Sequence, residues 1–167
     1  MQKFTTAIYC LALSLFIYSC GGSSSKEGAK TDEAKSTATP IVNLKAIAGK
    51  SIAEVETVLG KPESTEKVSP GETPCKENPC DKASYQSGKF EIVFINGKAD
   101  WITINNVADH ELNENNIELL GLPHSEPAFK NAASVIRWEK AEGINTISFF
   151  SNGAGKIGYV DIKTATE

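Results

Sequence analysis

The stretch Phe90-Glu91-Ile92-Val93-Phe94-Ile95-Asn96-Gly97-Lys98-Ala99-Asp100-Trp101-Ile102-Thr103-Ile104 sets the fold class. Phe90, Ile92 and Phe94 alternate with Glu91 and Val93, the period of a strand with one buried face. Asn96-Gly97 is the dipeptide that best accepts two successive positive-φ residues, so it predicts a type I′ hairpin between Phe94 and Ala99. Trp101 to Ile104 forms the return strand, with Ile102 and Ile104 on the core side and Trp101 on the other.

Working outward, short motifs recur in the same order. Val58-Leu59-Gly60-Lys61-Pro62 returns as Leu119-Leu120-Gly121-Leu122-Pro123, and Gly97 to Ile104 returns as Gly155 to Ile162, at offsets of 61 and 58 residues. Such self-similarity indicates a duplication. Each copy reads as one helix and a β-meander. In the first, Ser51 and Glu54 make a capping box, Ile52, Val55, Val58 and Leu59 share a helical face, and Gly60 supplies a left-handed residue before Pro62. In the second, Asn113 caps a shorter helix running to Leu120. Val135 to Trp138, Asn145 to Phe150 and Ile157 to Ile162 are its strands. The expected fold is α+β: two tandem units, about 44–106 and 112–164, sharing one antiparallel sheet with both helices on one face.

The amino terminus carries a targeting signal. Lys3 precedes the twelve uncharged residues Ala7 to Tyr18, too few for a membrane-spanning helix, which needs about 20, but suited to a signal peptide. Ile17-Tyr18-Ser19-Cys20 followed by Gly21-Gly22 resembles the lipobox of bacterial lipoproteins. The resemblance implies removal of residues 1–19 and lipidation of Cys20, which would hold the protein to a membrane of the bacterial cell envelope, with the outer membrane expected. Residues 20–42 then form a tether, because Gly21 to Pro40 has no aliphatic residue larger than Ala and cannot bury enough surface to offset its ordering entropy. The globular domain is assigned to 43–165.

The helix, the Leu-Gly-x-Pro break and the meander with its Asn-Gly turn look like the small outer-membrane lipoproteins of the SmpA/OmlA type. Duplicated, the unit resembles the β-lactamase-inhibitor-protein fold. The resemblance implies a protein-binding or β-barrel-assembly role, and it transfers no binding residues.

Composition excludes other classes. A net charge of −4 without basic runs leaves nucleic acid unsupported as a partner. Two histidines and no G-x-S-x-G leave no triad to argue, so no enzyme activity, cofactor or metal is expected. Asp109-His110-Glu111 reads as a polar linker. Gly153 to Gly158 spells G-x-G-x-x-G, but a strand follows where a dinucleotide site needs a helix. Cys75 and Cys80 occupy an eight-residue loop excess of the first unit over the second; in an exported protein they form a disulfide. Strand parity puts Trp101 and Tyr159 at equivalent positions on the face away from the helices, as an aromatic patch for a protein partner, unless loops cover both rings as a second small core. The expected function is a membrane-anchored, non-catalytic protein-binding module; the alternatives are an accessory of an outer-membrane assembly complex and a small-ligand carrier.

Cys20→Ala is expected to abolish lipid labelling and leave the protein unprocessed or soluble, as read by metabolic acyl labelling and membrane fractionation. A mature-sized, lipid-labelled variant would refute the anchor.

Overall fold

The computed structural model describes residues 39–69, 74–75 and 80–166. Cys20, its signal segment and most of the expected tether lie outside them. The chain forms an α+β domain with a single open antiparallel sheet of eight strands. In chain order these are β1 (Ser64–Val68), β2 (Cys80–Tyr85), β3 (Phe90–Ile95), β4 (Lys98–Ile104), β5 (Phe129–Asn131), β6 (Val135–Ala141), β7 (Ile144–Ser151) and β8 (Ile157–Lys163). Their spatial order is β1-β2-β3-β4-β8-β7-β6-β5: two meanders meet at β4 and β8, and both outer edges are largely exposed strands.

The alternation in β3 and β4 holds. Ile92 pairs with Ile102 and Phe90 with Ile104, all essentially buried, and Asn96 and Gly97 both have positive φ, as a type I′ turn requires. Between Val93 and Phe94 the register shifts, leaving Asp100 as an extra residue opposite them. From β8 come Val160 and Ile162, and from β7 Ile147 and Phe149, all with no exposure. The Trp138 and Phe149 rings meet edge to face, with their centres 5.6 Å apart. Tyr85 on β2 and Trp138 on β6 are both buried; the Trp138 indole donates to the Ser125 carbonyl at 2.8 Å. Burial, with a smaller contribution from Glu56, pushes the Tyr85 phenol up to about 12.

Helix α1 (Ile52–Leu59) starts where expected. Ser51 Oγ accepts from the Glu54 amide, and the Glu54 carboxylate accepts from the Ser51 amide at 2.8 Å and from the Ser51 hydroxyl at 2.7 Å; the two bonds to the carboxylate hold it below its ordinary value. Val55 and Leu59 join the buried cluster of the strands. Gly60 has φ +86° but an extended ψ of −177°, so it turns the chain without the left-handed conformation expected.

Two expectations are corrected. The second helical segment, Asn116–Leu120, is a five-residue 3₁₀ helix. Asn113 does not cap an α-helix: its side chain accepts from the Asn115 amide at 2.9 Å, while buried Asn116 accepts from the Asn113 amide and donates to the Glu111 carbonyl. These local bonds hold a tight turn in place of a longer helix. Residues 41 and 42 also pack on the domain. Val42, assigned to the tether, is 7% exposed, and the Ile41 amide donates to the Leu119 carbonyl at 2.7 Å.

That crossing explains Gly121. It is left-handed at φ +69°, and a Cβ there would stand 3.3 Å from Asn43 Cα; Gly88, at φ +75°, has open space around it. Replacing either by Ala places an L-residue in a left-handed conformation at about 1–2 kcal/mol. Gly121→Ala is expected to cost more than Gly88→Ala in urea unfolding, since only the former must also displace backbone. Equal costs would show that residues 41–43 do not press on this turn.

Candidate functional site

One face of the sheet supplies the core; the other holds the candidate site. Register carries rows of side chains across the second face. One row runs Glu91, Thr103, Asp161, Ser148, Arg137, Phe129; beside it run Val93, Trp101, Lys163 and Thr146, and on the opposite side Tyr159, Phe150 and Val135.

Trp101 and Tyr159 both project from this face, as their strand parity requires. They do not form one patch. Trp101 stands opposite Lys163, four residues along β8 from Tyr159, a separation of about 13 Å at the usual rise of a strand, with Asp161 between. Their surroundings also differ. Trp101 is partly buried and packs on a satellite cluster made by Cys75, Cys80, Ile95, Val68 and Val93. Its indole donates to Thr166 Oγ1 at 2.6 Å, and Lys163 Nζ lies 4.8 Å from the ring centre. Tyr159 is 40% exposed and stacks on Phe150 at 4.6 Å.

The cover over Trp101 therefore comes from the cystine and the carboxy-terminal residues, not from the segment 105–112. Asp100, the bulge residue and 7% exposed, accepts from the amides of Ala165 and Thr166 and from the Thr166 hydroxyl. Asn145 Nδ2 donates to the Thr166 carbonyl at 2.6 Å. Cys75 and Cys80 are bonded to each other with their Cα atoms 5.7 Å apart. Cys80 opens β2, so only Cys75 belongs to the inserted loop. Trp101, Val93, Val68 and Pro74, with Lys82 and Glu91 on the rim, line a groove of about 440 Å³; Lys82 pairs with Glu91 at 2.8 Å.

Sequence reasoning missed the other half of this face. Phe129 on β5 is 50% exposed and pairs with Arg137, whose Nε donates to Ser148 Oγ at 3.1 Å. The alternation Ile136-Arg137-Trp138 carried the signal, since two buried neighbours put Arg137 outward. β5 itself had none, because three exposed residues leave no period to read.

His110 and Glu111 act through backbone. The Ile157 amide donates to the His110 carbonyl at 3.0 Å, and Glu111 bridges Lys156. Among the described residues no group of three or more His, Cys, Asp or Glu is placed to hold a metal ion, and no helix is long and apolar enough to cross a membrane. Residues 153–158 turn into β8, a strand, as their surroundings in the sequence required. The chain matches no protein-family model, no curated protein and no solved structure.

Burial pushes the Asp161 carboxyl above its ordinary value, with Lys163 opposing. A raised carboxyl favours the folded state below the ordinary aspartate pKa, and that advantage is lost as pH rises through the folded value. Asp161→Asn, neutral throughout, should therefore gain stability relative to the native chain between pH 3 and pH 7 in paired urea titrations. A gap that moves the other way would show the carboxylate to be stabilised in place.

Proposed function

We propose that the chain is an exported, lipid-anchored envelope protein whose sheet domain is a non-catalytic protein-binding module acting through its second face. The exposure pattern carries this reading. Among the described residues three large apolar side chains are exposed, Val58, Phe129 and Tyr159. Two of the three stand on this face, beside partly buried Phe150 and Val135. Aromatic side chains gathered on an exposed sheet face are the usual anchors of a protein contact.

The reading takes the domain as a duplicated helix-plus-meander with its helical segments over the core face. In its favour, the strand order is mirrored about the β4–β8 junction, and Gly60 and Gly121, both at positive φ, end the two helical segments. Eleven residues, 69–79, connect β1 to β2, against three, 132–134, between β5 and β6, in keeping with the eight-residue insertion. The groove beside Trp101 favours a second reading, a small-ligand carrier. An accessory role in outer-membrane assembly would use the same protein-binding face.

A photo-crosslinking residue at position 159 or 129 of the membrane-bound lipoprotein should yield discrete protein adducts, and one at position 58 on α1 should yield none. Adducts from position 58 alone would move the contact to the other side of the domain. No adduct from 129 or 159, with a small molecule retained beside Trp101, would favour the carrier.

A further inference from the structure

The face described above contains the chain's single arginine, and its surroundings are specific. Arg137 sits on β6, between Phe129 on one neighbouring strand and Ser148 on the other. Ser148 is 4% exposed, and its hydroxyl accepts from Arg137 Nε. That bond uses one of the five guanidinium N–H groups and fixes the plane of the fork. Lys163, on the same face, stands over the Trp101 ring, and Lys82 and Lys67 find carboxylates in Glu91 and Asp81. Arg137 does not: among the described residues no carboxylate lies within ion-pair distance of it. Asp161 lies in the same row but two strands away, with Ser148 between.

Apolar surface adjoins this cation. Phe129 is its cross-strand neighbour, and the Val135–Phe150–Tyr159 row lies one step along the strands, with Phe150 and Tyr159 stacked nearly parallel. An oriented, partly buried guanidinium without a carboxylate, next to exposed aromatic rings, is complementary to a planar anion carried beside an apolar group. Arg pairs with carboxylates through two parallel hydrogen bonds, a geometry that lysine does not supply.

We infer that the β5–β8 half of the second face is a carboxylate-recognition site. It takes a partner segment that presents a carboxylate to the Arg137 fork, bordered by Phe129 on β5, and a large apolar side chain to the neighbouring Phe150–Tyr159 stack. This rests on the protein-binding reading and moves its centre from Trp101, whose ring is already engaged by Lys163 and Thr166, to Arg137.

The test uses the full chain, isotopically labelled in detergent, titrated with N-acetylphenylalanine, with its uncharged amide, and with acetate. The Arg137 Nε–H signal and the backbone signals of Phe129, Ser148 and Tyr159 are followed by NMR. N-acetylphenylalanine should move these signals saturably. Loss of the carboxylate charge, in the amide, or of the fork, in Arg137→Gln, should weaken binding about tenfold or more, the scale of one charge-assisted pair. Arg137→Lys should restore only part of it. Equal titration by acid and amide, in a comparison that needs no variant, overturns the inference. So does equal binding of acetate, which would show an adventitious ion only. If crosslinking from position 159 persists while acid and amide bind alike, the carboxylate site fails and the protein-binding reading stands. If the acid binds selectively and no protein crosslinks, the carboxylate site stands and the protein-binding reading fails.

Discussion

The pairing of β4 with β8 is the contact on which the rest of the domain depends. Each strand ends its meander, and here the two meanders join in one sheet, with Ile102 opposite Ile162 and Ile104 opposite Val160. All four side chains are fully buried, so one core runs unbroken beneath the six inner strands. Register tolerates no error at such a junction. A slip of one residue would turn the four isoleucine and valine side chains outward and bring Trp101, Thr103, Asp161 and Lys163 into the core. Burying two charged groups without partners costs far more than a sheet of this size can absorb.

The same junction explains where the buried polar groups lie. The bulge in β4 leaves Asp100 without a place in the ladder, and its carboxylate turns to the carboxy-terminal backbone, which it holds against the end of the sheet together with Asn145. Thr166, fixed in this way, accepts from the Trp101 indole. One irregularity in the register thus decides that Trp101 is a covered ring. Tyr159, at the far end of β8 from this strap, has no such cover and remains partly exposed beside Phe150.

The second face is consequently divided. On the β1–β4 side the Trp101 ring and the cystine adjoin a groove whose Lys82 and Glu91 pair with each other. On the β5–β8 side a guanidinium oriented by a buried hydroxyl adjoins exposed aromatic rings. Charge that is internally paired contributes little to selecting a partner, whereas an oriented cation without a carboxylate discriminates strongly by what it meets.

Local patterns were legible from the sequence wherever one residue's chemistry decides its own conformation. The Ser51–Glu54 capping box, the Asn96-Gly97 turn, the inward parity of Ile102, Ile104, Val160 and Ile162, and the nearness of Cys75 to Cys80 are each settled within a few residues of chain. The edge strands were not legible, because Ser64–Val68 and Phe129–Asn131 bury almost nothing and so lack a period. The 3₁₀ segment was misread as a longer helix because Asn113, which resembles a cap in sequence, and Asn116 bond instead within the turn around Glu111. Which outward side chains stand free was decided by tertiary structure alone. Parity names the face a ring points from, but the strap over Trp101 comes from Asp100 and Thr166, 66 residues apart, and Arg137 meets Phe129 only because β5 and β6 pair.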